Sequence, residues 1–145
     1  MATEIKTEIL INATTDRVWT ALTSFDKYPN WNPFIKFIAG EVKAGNKITV
    51  KIEPPGAKAM TFRPKVLTFE TRKELSWLGV LLFAGLFDGE HKFELIDNGN
   101  ETTTFKQSEK FNGLLVPLFK KQLDTNTKNG FAAMNMKLKE LAEQK

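Results

Sequence analysis

The chain has 145 residues, 41% hydrophobic and 26% charged, which fits one soluble domain spanning 1–145 with a real core. It has no cysteine, which excludes disulfides, thiolate metal sites and cysteine nucleophiles, and one histidine, which excludes a histidine-rich metal centre. The net charge is +4, but only Arg17, Arg63 and Arg72 are arginines and the lysines are scattered among acids, so a mildly basic solvated surface is expected and no nucleic-acid partner.

The N-terminus carries Glu4, Lys6 and Glu8 and does not read as a signal peptide. The longest apolar run, Trp77 to Phe87, has eleven residues, where a membrane span needs roughly twenty. No integral membrane segment and a cytoplasmic location are therefore expected.

Thr3 to Asn12 alternates, with Ile5, Thr7, Ile9 and Ile11 on one face, and predicts a first strand. Thr14 can cap a helix whose apolar face is Val18, Trp19, Leu22 and Phe25. A short second helix or turn runs from Asp26 to Trp31, and Asn32 before Pro33 cannot be helical. Strands follow at Phe34 to Glu41, Lys47 to Glu53, Ala59 to Thr71 (bulged or at an edge at Pro64), and Glu74 to Gly79. Gly79 to Phe87 is apolar with two glycines, which suits a flexible lip or a partner surface.

The last hairpin puts His91, Phe93 and Leu95 on one face of Asp88 to Asp97, and Phe105, Gln107, Glu109 and Phe111 on one face of Glu101 to Phe111. A three-residue turn, Asn98-Gly99-Asn100, pairs Asp97 with Glu101. That register sets Phe93 opposite Phe105, His91 opposite Gln107 and Gly89 opposite Glu109.

Leu114 to Lys145 then reads as one long helix. Its apolar stripe is Leu115, Leu118, Phe119, Leu123, Gly130, Phe131, Met134, Leu138 and Leu141. Gln122, Asn126 and Gly130 interrupt the stripe where a solid core would place Leu or Ile, which points to a cavity. Seven strands joined by short turns make an antiparallel sheet, and its apolar face needs the long helix as cover. The expected fold is α+β, a helix-grip: a curved seven-stranded antiparallel sheet around a long C-terminal helix, with two short helices after the first strand.

Several stretches, in this order, resemble the START-like (SRPBCC) superfamily, in its bacterial polyketide cyclase/dehydrase-like and lipid-transport branch. They are Ile11-Asn12-Ala13 to Val18-Trp19, Tyr28-Pro29-Asn30-Trp31-Asn32-Pro33-Phe34-Ile35, Leu75-Ser76-Trp77, Gly89 to Leu95, Glu109 to Leu118 and Gly130 to Asn135. The resemblance implies a domain that binds a lipid or an aromatic, polyketide-like metabolite. It also allows a cyclase/dehydratase.

His91, Gln107 and Glu109 form the one plausible polar cluster. They would orient a ligand, or His91 and Glu109 would act as acid and base in an enzyme; the plainer alternatives are a buried histidine bonded to Gln107 or Glu109, and a Glu109 that reaches solvent at the strand end. Trp31, Phe34, Phe62, Trp77, Phe93, Phe105, Asn126, Gly130 and Met134 complete the expected ligand-binding set. Each aromatic has the alternative of simply filling a core. No phosphate loop, dinucleotide fingerprint or nucleophile elbow is present, so no cofactor is expected. A protein-interaction module using the Gly79 to Phe87 lip is the remaining reading.

Overall fold

A computed structural model describes residues 3–80 and 84–144. The alternating N-terminal segment is strand β1, Thr3–Ile11. Helix α1, Thr15–Thr23, starts where the Thr14 hydroxyl accepts the Arg17 N–H at 3.3 Å. A 3₁₀ turn, Phe25–Lys27, leads into α2, Tyr28–Trp31. Pro29 sits in the first turn of α2, where a missing N–H costs no hydrogen bond. Asn32 leaves the helix at ψ 116, and its Oδ1 accepts from the N–H groups of Phe34 and Ile35.

The strands are β2 (Ile35–Ala39), β3 (Thr49–Ile52), β4 (Met60–Phe62), β5 (Lys65–Glu70), β6 (Glu74–Val80), β7 (Asp88–Asp97) and β8 (Thr103–Asn112). They form a five-stranded sheet, β1-β8-β7-β6-β5, and a three-stranded sheet, β2-β3-β4. This corrects the expected single sheet of seven. The long strand expected over Ala59 to Thr71 divides at Arg63-Pro64, because proline cannot donate to a ladder. Its two parts, β4 and β5, then fall in different sheets. Three backbone bonds still tie the sheets: Gly45 N–H to Val66 C=O (2.8 Å), Val66 N–H to Asn46 C=O (2.8 Å) and Ile48 N–H to Pro64 C=O (3.0 Å).

The β7–β8 register also differs from expectation. Asp97 pairs with Thr103, Phe93 with Gln107, His91 with Glu109 and Gly89 with Phe111. The turn is longer than three residues because Asn98 N–H closes onto Thr102 C=O at 3.1 Å, with Gly99 and Glu101 at positive φ. The shift is two residues. Every side chain therefore keeps its expected face, since strand side chains alternate with period two.

The C-terminal segment is helical but not one α-helix. It runs through a 3₁₀ turn (Val116–Phe119), α3 (Lys120–Gln122), a π segment (Leu123–Thr127) and α4 (Lys128–Glu143). Pro117 opens the first turn, and the changes of pitch rotate the expected stripe. Leu118 and Phe119, expected on the buried stripe, are exposed, while Leu123, Phe131, Met134 and Leu138 are buried. Helix α4 packs on β1 and α1. Its end is held by Glu143, whose carboxylate accepts the Asn12 N–H at 2.7 Å, and by Arg17, which donates to the Gln144 carbonyl. Residues 118–127, upstream of α4, face a cavity instead. No helix among the described residues is long and apolar enough to cross a membrane.

Candidate ligand cavity

The cavity measures about 960 Å³. Strands β3 and β4 and the turn between them (Ile52, Pro54, Gly56 to Met60, Phe62) form one side, and side chains from Leu118 to Thr127, without Lys120 and Asp124, form another. Trp77, Gly79, His91, Glu109 and Phe111 of β6, β7 and β8 form the sheet wall, and Phe34 and Phe87 close it. Most of the wall is apolar, with a few convergent polar groups, the usual make-up of a small-molecule site.

His91 is 3% exposed, with its ring enclosed by Trp77 (centroids 5.3 Å), Phe93 (4.6 Å) and Phe131 (4.9 Å). Its Nδ1 lies 3.0 Å from Glu109 Oε1 and its Nε2 2.9 Å from Gln107 Oε1. Directly opposed residues on β7 and β8 put the carboxylate within reach, and Gln107 reaches across on the diagonal. A largely buried carboxylate is costly without a partner, and His91 is that partner. Gly89 makes room for it, since a Cβ at that position would collide with Glu109 Oε2.

The hydrogen-bond directions behind His91 are fixed. The Thr7 hydroxyl donates to the Gln107 backbone carbonyl (2.8 Å), which can only accept. Thr7 Oγ1 therefore accepts from Asn135 Nδ2 (2.9 Å), which turns Asn135 Oδ1 towards Gln107 Nε2 (2.8 Å). Gln107 Nε2 also approaches the Phe131 carbonyl (3.5 Å). Gln107 Oε1 is left as an acceptor, so His91 Nε2 carries a hydrogen. His91 Nδ1 then faces Glu109 Oε1, and the Glu109 carboxyl faces the cavity.

Phe34, Phe62, Trp77, His91, Glu109 and Asn126 line the cavity. Gln107 stands behind His91, out of the lining. Asn126 is occupied in part by structure, donating from Nδ2 to the Pro55 carbonyl at 2.8 Å and so clasping the helical segment to the β3–β4 turn. Phe93 and Phe105 stack within the core at 6.1 Å, and Met134 is fully buried; none of the three lines the cavity. Gly130 seats the Phe34 ring, because a Cβ there would come within 2.5 Å of Phe34 Cδ1. Trp31 lies elsewhere. It packs edge-on to Tyr28 (5.2 Å) beside a smaller depression of about 480 Å³ between α1 and the end of α4.

Lip residues Gly79, Val80 and Phe87 lie on the cavity; 81–83 lie outside the described residues. Among the described residues, no group of three acids or histidines could hold a metal ion. The relay residues Thr7 and Asn135 were not anticipated. A polar residue one place from Met134 on the buried stripe was the available signal for Asn135, and its phase with Ile5 and Ile9 for Thr7.

A sheet gripping a C-terminal helix around an apolar cavity defines a START-like, helix-grip domain. The chain belongs to the family described as polyketide cyclase / dehydrase and lipid transport, whose profile matches residues 2–143. A search of curated proteins finds no significant match. Among solved structures, it is similar to the Zhui aromatase/cyclase from Streptomyces sp. R1128 (TM-score 0.79, 13% identity, covering 99% of this chain and 94% of that one). It is also similar to truncated norcoclaurine synthase from Thalictrum flavum (0.74, 18%, covering 100% and 96%) and to a Staphylococcus aureus protein of unknown function (0.71, 15%, covering 99% and 94%). At these identities the likeness is one of fold.

Proposed function

We propose that the protein binds or carries a small hydrophobic molecule, a lipid or an aromatic, polyketide-like metabolite, in the 960 Å³ cavity. The observation that carries this reading is an apolar chamber with one polar pair, His91–Glu109, on its wall. A ligand burying roughly 300 Å² of apolar surface gains about 7 kcal/mol at ~25 cal/mol per Å², before the entropy of association is subtracted. That suffices for retention of a sparingly soluble cargo. The pair then orients one ligand oxygen, accepting from a hydroxyl or donating to a carbonyl. Titration with fatty acids, sterols and aromatic polyketides tests it. Saturable binding that weakens in Glu109→Ala for oxygen-bearing ligands supports the reading; no binding across the panel contradicts it.

The contact between His91 and Glu109 on the cavity wall favours one second reading, a cyclase/dehydratase. In a cyclisation the pair takes a proton from the carbon beside a carbonyl and returns one to the carbonyl oxygen that the new carbon–carbon bond converts to a hydroxyl. No oxidant or reductant is needed. Turnover of a bound poly-β-keto substrate that disappears in Glu109→Gln, with binding retained, would establish it.

A further inference from the structure

Two glycines stand side by side on the sheet wall of the cavity. Gly79 of β6 is directly opposed by Gly89 of β7, and Gly89 in turn by Phe111 of β8. All three line the cavity. Glycine weakens a strand interior, because it loses more backbone entropy than other residues and offers no side chain to pack. Two in direct cross-strand contact leave a bare step of backbone, and such steps serve where another group must come close.

Both places are taken. The ring of Phe62, from β4 of the other sheet, lies over Gly79, where a Cβ would meet Phe62 Cδ2 and Cε2 at 3.3 Å. A Cβ on Gly89 would collide with Glu109 Oε2 and come within 3.4 Å of Phe111 Cε1. Directly opposed Cβ positions are about 5 Å apart. The Phe62 ring, the Glu109 carboxyl and the Phe111 ring therefore occupy adjoining places in one row. Glu109 meets His91 through Oε1, and its Oε2 has no hydrogen-bond partner among the described residues. A ligand hydroxyl satisfies that oxygen in either protonation state, since it both donates and accepts. The two rings beside it pack best on a flat aromatic neighbour, offset or edge-on. A saturated ring holds substituents out of its plane and stands off from them.

We propose that Gly79 and Gly89 set the specificity of the cavity, selecting a flat aromatic ring with a hydroxyl at Glu109 over a fatty acid or a sterol. This rests on the ligand-binding reading above and narrows its class of ligand. Both glycines are positioning residues. Gly79 acts through Phe62, because a larger residue there drives the ring off β6 and into the chamber. Gly89 acts through Glu109, by letting the carboxyl lie over β7 with Oε2 free.

The test is calorimetric titration of the full chain with naphthol and with decalol, its fully saturated counterpart, beside palmitate and cholesterol. The parent protein is expected to bind naphthol about tenfold more tightly than decalol. Gly79→Val carries methyl groups into the Phe62 ring, and Phe62→Leu removes the ring while keeping apolar bulk. Each is expected to cut the preference to about twofold. Equal affinities in the parent, or a preference that either variant retains, overturn the proposal and leave the cavity reading standing. Binding of palmitate or cholesterol without naphthol does the same. If none of the four binds, the cavity reading falls and the proposal falls with it.

Discussion

His91 and Glu109 stand directly opposite one another on neighbouring strands, with Nδ1 and Oε1 3.0 Å apart. The hydrogen on the far ring nitrogen, Nε2, is set by a chain of one-way hydrogen bonds that starts at the Gln107 backbone carbonyl.

The first prediction concerns that chain. Two-bond nitrogen–proton correlation spectra should show His91 Nε2 protonated in the folded protein. Asn135→Leu leaves Gln107 Nε2 only its long Phe131 contact, so the amide can turn over and the Nε2–H signature should be lost or mixed. A bare Nε2 in the parent protein would contradict the assigned directions.

Gly89→Ala places a methyl group in the space of Glu109 Oε2. The carboxylate is the movable partner, so it should swing away from His91 at a cost of about 1–3 kcal/mol. In a Glu109→Ala background the same methyl should cost far less. A double-mutant cycle by urea denaturation reads the coupling; additive effects would mean that Gly89 makes no room for the carboxylate.

Gly130→Ala should gain about 1 kcal/mol of helix propensity and still destabilise. The added Cβ would meet Phe34 Cδ1 at 2.5 Å, and a ring wedged against Phe131 has little freedom to retreat. A net loss of about 1–3 kcal/mol is expected, relieved in part by Phe34→Leu. A more stable Gly130→Ala would show the contact to be loose.

Glu143 has its carboxyl held below the usual carboxylate range, first by the Lys139 hydrogen bond and then by the Asn12 N–H. A depressed folded value means the stabilisation is present above the unfolded value and fades as pH falls through the folded one. Glu143→Gln should therefore lower the melting temperature by a degree or two at neutral pH, a small effect because the group is partly exposed. The difference should vanish in acid. A gap that persists at low pH would assign the effect to packing.

Residue faces were legible in the sequence, whereas loop lengths and helix pitch were not. His91, Gln107 and Glu109 fell on the interior side because period-two alternation survives a shift of two residues. The register itself depends on how Asn98 and Thr102 close the turn, and several closures suit Asn98-Gly99-Asn100 equally. The C-terminal segment showed a helical stripe, but a 3₁₀ turn at Pro117 and a π segment after it take Leu118 and Phe119 off the buried stripe to the exposed edge of the cavity, and apolar spacing carries no mark of that. The cavity was inferred from Gln122, Asn126 and Gly130. The first two do line it, whereas Gly130 seats Phe34. The family resemblance located the shape well and the chemistry poorly, since one fold serves carriers and enzymes alike.

The central claim is that the cavity holds a small hydrophobic molecule. Native mass spectrometry of freshly purified protein, followed by denaturing extraction, tests it most directly. The account predicts a stoichiometric apolar molecule, or a one-to-one mass shift with at least one member of the fatty acid, sterol or aromatic polyketide panel. A bare mass that no member of the panel shifts would contradict it.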